Sequence, residues 1–437
     1  MNFYSTNRKI PNVSLKEAVI KGLASDNGLF MPERIEKFEP AFFDSIHQLT
    51  FQEIAFEVAK KFFGEDVEWN SLKEIVYDTL QFDCPVEKVS ESIYSLELFH
   101  GPTLAFKDVG ARFMARLLNY FLDKNQDEVN VLVATSGDTG SAVANGFLGV
   151  EGIHVHVLYP KGKVSAIQEA QFTTLGENVT AIEIDGNFDD CQKLVKTAFL
   201  DKELNEDLLL TSANSINVAR FLPQAFYYFN AYARLKEKGA LDGKDFIVSV
   251  PSGNFGNLTA GLFTREMGLP VARFLAANNE NDVVYEFLKT GEYKPRPSTE
   301  TIANAMDVGA PSNFARILDL YDNTHSRISG IIKGFRYSDD EIRKTIREVF
   351  LQFGYLCDPH GACGYRALRE FLKPEQVGVF LETAHPAKFK ETVSGIVGEE
   401  NVVIPERLAA FMKKEKNTVL LNNDFLAFKK YLLNFDK

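Results

Sequence analysis

Hydrophobic and polar positions alternate in two different ways along the chain, and the change comes near Val129. Before it, apolar side chains recur at the spacing of amphipathic helices, most clearly at Phe51, Ile54, Ala55, Val58 and Phe62. This spacing predicts an N-terminal helical domain over residues 1–80.

From Val129 onwards, short apolar runs rich in β-branched residues alternate with amphipathic stretches. The runs typical of buried strands are VNVLVAT, IHVHVLYP, NVTAIEID, DLLLTSA, DFIVSV and VARFLAAN. The clearest helices between them are SAIQEAQFTTLG, FDDCQKLVKTAFLD and NLTAGLFTREMG. Strands that alternate with helices predict an α/β fold with mostly parallel sheets and helices on both faces.

The long helical stretch from Val218 to Lys238 interrupts this alternation, so we place a break between two α/β lobes near residues 210–240. The pattern predicts a two-lobed core over residues 90–385, with the smaller lobe at about 116–212. A C-terminal helical extension is expected over 386–437, where FLAFKKYLLNF is typical of a final packing helix.

The chain is acidic, with 48 Lys and Arg against 60 Asp and Glu and a formal net charge of −12. This balance argues against nucleic-acid and anionic-membrane partners, so an anionic ligand must be held by local features. The start of the chain lacks signal-peptide character, and no run approaches the ~20 apolar residues of a membrane span. A reducing compartment, the cytoplasm, is expected because the cysteines are few and scattered, at Cys84, Cys191, Cys357 and Cys363.

Two glycine-containing loops follow predicted strands, where ligands bind in open parallel sheets. Residues 136–141 follow VNVLVAT, and residues 251–257 follow DFIVSV; both lead into helices. Glycines and a helix start can turn backbone N–H groups toward an anion, so two such loops indicate two anionic groups. The alternative is a pair of tight turns without ligands. Neither loop has the GxGxxG or P-loop pattern.

Lys107 stands in HGPTLAFKD, directly after an apolar run and ahead of the helix-like VGARFMARLL. An ammonium at a helix start opposes the helix dipole, and apolar surroundings lower the pKa of a lysine until it can act as a nucleophile or Schiff-base partner. The alternative is a surface lysine that lies on Phe106 and pairs with Asp108. Context alone favours this alternative.

Other chemically reactive side chains are expected to have structural roles. His154 and His156 alternate on a predicted buried strand, where packing is expected. Cys357, His360 and Cys363 lack a fourth ligand at zinc-site spacing. We assign them to loop and packing roles and expect no metal site.

Seven segments together resemble the threonine synthases of the bacterial and fungal type, in that family's order and over most of the chain. They are SLKEAVIKGLASDNGLFMPE, HGPTLAFKD, TSGDTG, NSINVAR, VPSGNFGNLTAG, NAMDVGAPSNFAR and TAHPAKF. The resemblance implies the tryptophan-synthase-β-like fold, which is fold type II of the pyridoxal-phosphate enzymes. It also implies that the core of residues 90–385 binds pyridoxal 5′-phosphate as its cofactor, through a Schiff base.

The resemblance implies roles for individual residues. Lys107 would form the Schiff base with the cofactor and then move protons. Thr383 would face the pyridine nitrogen. Asp138 would border the cofactor ring, where the wider fold family commonly has Asn. The loop that holds the cofactor phosphate would comprise Gly253, Asn254, Phe255, Gly256 and Asn257.

Substrate contacts follow from the same resemblance. Thr135, Ser136 and Thr139 would receive the substrate carboxylate, and Asn217 and Arg220 would lie near the substrate phosphate. An arginine can bind phosphate through two parallel hydrogen bonds. Without the resemblance, Arg220 is better explained as a surface charge on its helix.

The implied enzyme is a lyase of threonine biosynthesis that converts O-phospho-L-homoserine and water into L-threonine and phosphate, the last step of that pathway. One alternative is a phospholyase that releases phosphate from a related substrate without adding water. A different class of protein, a nucleotide-binding α/β protein, is a further alternative. The sequence does not define the oligomeric state.

Overall fold

The computed structural model describes residues 1–122 and 128–435. Its first segment contains β1 (Asn2–Ser5), β2 (Val13–Ser14), α1 (Leu15–Lys21), β3 (Phe30–Pro32), α2 (Pro40–Ser45), a 3₁₀ turn (Ile46–Gln48), α3 (Phe51–Phe63) and α4 (Trp69–Thr79). The helices expected over residues 1–80 are present, but a three-stranded antiparallel sheet, in the order β2-β1-β3, precedes most of them. Strands of two to four residues are too short to produce a recognisable alternation.

The chain then enters the α/β region. The next elements are β4 (Val86–Lys88), β5 (Ile93–Glu97), α5 (Lys107–Phe121), β6 (Val129–Ala134), α6 (Asp138–Phe147), β7 (Ile153–Pro160), α7 (Ala166–Thr173), β8 (Val179–Asp185), α8 (Phe188–Leu200), α9 (Lys202–Asp207) and β9 (Leu209–Ser212). The helical break contains α10 (Val218–Phe221), a 3₁₀ turn (Leu222–Gln224) and α11 (Ala225–Glu237).

The second α/β unit and the C-terminal extension complete the fold. The elements are β10 (Asp245–Pro251), α12 (Gly256–Glu266), β11 (Val271–Asn278), α13 (Val283–Thr290), a 3₁₀ turn (Asn304–Met306), α14 (Phe314–Leu320), α15 (His325–Ile331), β12 (Ile332–Arg336), α16 (Asp339–Phe353), α17 (Pro359–Phe371) and β13 (Gln376–Glu382). The extension comprises two 3₁₀ turns (Pro386–Phe389 and Glu399–Asn401), α18 (Lys390–Val397), α19 (Glu406–Met412), β14 (Val419–Asn422) and α20 (Phe425–Leu433).

Two mostly parallel sheets form the lobes, which confirms the predicted fold class. The larger sheet has the order β12-β11-β10-β13-β5-β4, and only β4 runs antiparallel to its neighbour. The smaller sheet has the order β14-β8-β7-β6-β9 and is parallel throughout. The predicted strands are all present. β6 shows why they were recognisable, since all six of its residues are buried under helices on both faces.

The C-terminal extension adds a strand that the sequence pattern did not reveal. β14 joins the edge of the smaller sheet, where Val419 pairs with Ile182. Its burial alternates weakly, with no residue fully buried. α20 packs against this sheet. His156 on β7 forms hydrogen bonds with Asn130 at 2.9 Å and with Tyr431 of α20 at 3.1 Å. The packing role expected for His156 is therefore confirmed.

None of the helices in the described ranges, 1–122 and 128–435, has both the length and the apolar character needed to cross a bilayer.

Candidate active site

The carboxyl ends of strands from both sheets open onto one cavity of about 860 Å³. The loop after β6 and the ends of β7 and β8 form its small-lobe wall, while the loop after β10 and Thr383 after β13 form the wall of the larger lobe. A segment from Arg296 to Ser312 contributes a third wall. The two glycine loops identified in the sequence therefore meet at the same site.

Lys107 is the first residue of α5 and lines this cavity. Its side chain keeps some accessible surface because it faces the cavity, yet the amine lies deep in the protein. Burial lowers the pKa of Lys107 to about 8; Arg220 and Lys388 act in the same direction, and Asp138 opposes them. The neutral form of this amine is therefore more populated near physiological pH than in an ordinary lysine.

Asp108 does not serve as the counter-ion of Lys107. Its buried carboxylate accepts hydrogen bonds from the backbone N–H of Thr103 at 2.9 Å and from the Thr103 hydroxyl at 2.5 Å. The interpretation of Lys107 as a surface lysine paired with Asp108 is thus wrong. The carboxylate is engaged with the preceding turn, and the amine faces the cavity.

The loop between β10 and α12 has the backbone of an anion-binding turn. Phe255, the residue before α12, has a φ of 63°, in the left-handed region that is unfavourable for a bulky residue. A Cβ at Gly253 would lie 2.6 Å from the carbonyl oxygen of Ala305, so only glycine fits there. The N–H groups of Gly256 and Asn257 at the start of α12 have no backbone partner within the helix, whereas that of Leu258 donates to the Oδ1 of Asn257 at 2.8 Å.

Amide side chains hold this loop in place. Asn254 donates to the Ser215 hydroxyl at 2.9 Å and accepts from the backbone of Ser312 at 2.6 Å. Asn257 donates to the carbonyl oxygen of Pro251 at 2.9 Å. These side chains fix the loop shape, so the backbone N–H groups, rather than the amides, are the groups left for a bound phosphate.

The loop after β6 is organised by Thr135. Its hydroxyl accepts hydrogen bonds from the backbone of Gly137 at 2.9 Å and of Gly140 at 2.8 Å. Ser136 and Thr139 also line the cavity with Thr135. Thr135 therefore shapes the loop, while the two neighbouring hydroxyls provide donors for a ligand.

Asp138 forms a buried ion pair that the sequence did not reveal. Lys388 lies 2.7 Å from its Oδ1, and Gln168 donates to the same oxygen at 2.8 Å. Burial favours the neutral acid, but Lys388 and Lys107 outweigh it and lower the pKa of Asp138 to about 2. Asp138 is not among the described residues on the cavity wall. In the structure this carboxylate contacts Lys388 and Gln168, and its position beside the cofactor ring stays a prediction.

Arg220 and Asn217 have different positions. Arg220 lines the cavity, donates to the Ala213 carbonyl oxygen at 2.6 Å and has a buried Nε without a protein partner. Burial lowers the pKa of Arg220 to about 10. The amide of Asn217 instead donates to Val19 at 2.8 Å and caps α10, so it is not at the described cavity wall.

The cavity includes polar residues that the sequence analysis did not single out. Lys163 and Asn187 could have been predicted from the sequence, because they follow the predicted strands β7 and β8, and ligands bind at strand carboxyl ends. These polar residues include Lys163, Asn187, Gln192, Lys196, Asn214 and Arg296. Thr383 was predicted, and its carbonyl oxygen accepts from the backbone N–H of Phe106 at 2.8 Å, next to Lys107.

Comparison with known proteins agrees with this geometry. Residues 83–382 match the family described as pyridoxal-phosphate dependent enzyme. Residues 2–80 match the threonine synthase N terminus, and residues 361–432 match the threonine synthase C-terminal family. Fold and site thus define a pyridoxal-phosphate-dependent enzyme of fold type II.

Individual relatives narrow this class. The chain is 43% identical to threonine synthase of Haemophilus influenzae over 99% of this chain and 100% of the relative. The crystal structure of threonine synthase from Escherichia coli superposes with a TM-score of 0.93 at 42% identity, covering 100% of both chains. The pyridoxal-phosphate-bound threonine synthase from Brucella melitensis gives 0.91 at 33% identity, over 99% and 98%. The chain belongs to the threonine synthase family.

The cofactor of this class is pyridoxal 5′-phosphate, and the residues present accommodate it. A buried amine with a lowered pKa is available on Lys107. Because Gly253 has no side chain, its backbone can make the close approach that a phosphate-binding loop needs. Arg220 presents a buried nitrogen without a protein partner. These features agree with an aldehyde-bearing, phosphorylated cofactor.

Proposed function

We propose that this chain converts O-phospho-L-homoserine and water into L-threonine and inorganic phosphate. The observation that carries the proposal is a buried lysine with a lowered pKa on a cavity that has anion-binding features in both lobes. The cofactor phosphate requires one such feature, and the substrate brings a phosphate and a carboxylate. The whole-chain likeness to threonine synthases supports the same substrate.

Lys107 would carry the cofactor, with the loop of residues 253–257 around its phosphate and Thr383 at its ring nitrogen. When bound, pyridoxal phosphate supplies an electron sink for a carbanion at the substrate Cα. The amine of Lys107, once released, would remove and return protons on the substrate carbon chain, because its pKa of about 8 lies near the working pH.

The substrate would be oriented by groups on opposite parts of the cavity. The hydroxyls of Ser136 and Thr139 lie on the loop at the start of α6, a favourable place for the carboxylate. Arg220, Lys163 and Lys196 are among the cations on the cavity wall and would bind the substrate phosphate. They are local positive charges in a chain of net charge −12, so binding rests on the site and not on the global field.

A phospholyase on a related amino-acid phosphate is the nearest alternative, because it shares proton removal and phosphate loss and differs only in the fate of water. We place the enzyme in the cytoplasm, since its four cysteines are buried free thiols in keeping with a reducing compartment.

The proposed substrate is tested with the visible absorption spectrum of the purified holoenzyme. O-phospho-L-homoserine should change the spectrum at concentrations at which L-homoserine, which lacks the phosphate, does not. Equal responses to both compounds would contradict the assigned role of the cationic wall.

A further inference from the structure

His360 lies on the cavity wall as the second residue of α17 and is only 2% exposed. Both of its ring nitrogens are engaged. Nε2 lies 3.1 Å from the backbone nitrogen of Ala305, and Nδ1 lies 2.5 Å from Oδ1 of Asp358. Because a backbone N–H can only donate, Nε2 must be unprotonated. His360 is therefore the neutral tautomer with hydrogen on Nδ1, which donates to Asp358.

Asp358 is held so that its carboxylate faces His360. It caps α17 by accepting from the backbone of His360 at 2.6 Å, and its other oxygen accepts from Ala384 at 3.2 Å. Below it, the fully buried Glu382 accepts a hydrogen bond from the backbone N–H of Asp358. Burial, together with the charge of Asp358, raises the pKa of Glu382 well above its usual value.

The partner of His360, Ala305, belongs to a turn that lies across the phosphate loop. The position of a Cβ at Gly253 would be 2.6 Å from the Ala305 carbonyl oxygen, which shows how closely the turn approaches that loop. On its other side the same segment is fastened by Asp307, which accepts from Asn279 at 2.8 Å and from the Thr301 hydroxyl at 2.7 Å. Through the hydrogen bond from Ala305, His360 thus attaches this segment to α17.

We propose that His360 is a positioning residue for the cofactor phosphate. By accepting the Ala305 N–H, it keeps the turn of residues 304–306 against Gly253 and so maintains the loop that presents its N–H groups to the phosphate. Asp358 sets the tautomer that this requires. The inference rests on the cofactor but not on the proposed substrate, so a protein that makes no threonine would still report on it.

The test is titration of the full-length enzyme, freed of cofactor, with pyridoxal 5′-phosphate and separately with pyridoxal, which lacks the phosphate. His360→Leu should weaken pyridoxal phosphate binding about tenfold or more, because it leaves the buried Ala305 N–H unpaired. Pyridoxal binding should stay unchanged. His360→Gln, which retains an acceptor, should bind pyridoxal phosphate within about threefold of wild type, since the hydrogen bond is restored.

His325→Leu is the matched control, because His325 bonds the Leu288 carbonyl oxygen and is not among the described cavity residues. It should bind both compounds as the wild type does. Unchanged pyridoxal phosphate binding in His360→Leu would overturn the proposal, and so would an equal loss for both compounds.

A second measurement needs no substitution and so decides the matter even if His360→Leu does not fold. Nitrogen-15 spectra of histidine-labelled wild-type enzyme should show His360 as the tautomer with hydrogen on Nδ1. Hydrogen on Nε2 would overturn the proposal, because that nitrogen could not accept from Ala305.

Discussion

At the scale of single residues, the proposed chemistry depends on the amine of Lys107, whose pKa is lowered by burial. The family resemblance identified Lys107, whereas its sequence context alone favoured a surface lysine. The sequence could not show that Asp108 turns away to Thr103, because that geometry depends on the closed turn. Lys388 was missed for a related reason. It lies 250 positions from Asp138 in the chain, and its pairing exists only in the tertiary structure.

Replacing Lys107 by Ala should remove the visible absorption of the holoenzyme and lower turnover by about a thousandfold or more, the scale expected for loss of a positioned acid–base group. Steady-state turnover and the absorption spectrum are the measurements. Lys344→Ala is the control, because this lysine is 69% exposed and, among the described residues, its ion pair is with Glu348 on its own helix. Full turnover in Lys107→Ala would refute the assignment of the lysine.

At the scale of elements, the loops that line the candidate active site follow the carboxyl ends of strands. Both glycine loops were predicted because each lies between a predicted strand and a predicted helix. They line the same cavity because ligand sites in parallel sheets form at the carboxyl ends of the strands. The turn of residues 304–306 that closes over Gly253 carries no periodic signal, because its position is set by polar side chains from distant segments, such as Asn279 and His360. It could not be found from pattern alone.

Gly253→Ala should weaken pyridoxal phosphate binding about tenfold or more, because the added methyl group meets the backbone of Ala305 and the loop must shift. Equilibrium titration of the cofactor-free enzyme measures the effect. Gly330→Ala, in α15, is the matched control, since a Cβ there has no heavy atom within 4 Å. If the two variants bind the cofactor equally well, the loop does not hold the phosphate as described.

Glu382 at the end of β13 should make the enzyme less stable as the pH rises. Its raised pKa means that the folded state retains a proton that the unfolded state has lost above about pH 4.5. The free energy of unfolding therefore falls from that pH up to the folded pKa. Glu382→Gln keeps a neutral side chain of the same shape and should remove this loss.

Chemical denaturation at pH 4 and pH 8 checks this prediction. The two proteins should differ little at pH 4, and Glu382→Gln should be the more stable at pH 8. The exposed Glu415→Gln serves as control and should follow the wild type at both values. A Glu382→Gln variant that is less stable than wild type at pH 8 would show that the buried group is ionised.

At the scale of the whole molecule, the alternation of strands and helices allowed both lobes to be predicted, since strands covered on both faces leave continuous apolar runs. The first sheet and β14 escaped detection because their strands have only two to four residues. The net charge of −12 makes local cations important: Lys107 and Arg220 lie on the cavity wall, whereas Lys388 is paired with the buried Asp138.

Binding of a substrate analogue should bring the two lobes closer together. The cavity must accept two phosphates close to each other, and exclusion of water strengthens the contacts that hold them. Small-angle scattering of the holoenzyme should show a smaller radius of gyration with a phosphonate analogue of the substrate than with L-homoserine. Identical scattering curves would count against closure.

The proposed reaction, loss of phosphate followed by addition of water at Cβ, is tested by identifying its products. Purified holoenzyme incubated with O-phospho-L-homoserine should release L-threonine and inorganic phosphate in equal amounts. Release of phosphate with 2-oxobutyrate and no threonine would contradict the account and identify a phospholyase.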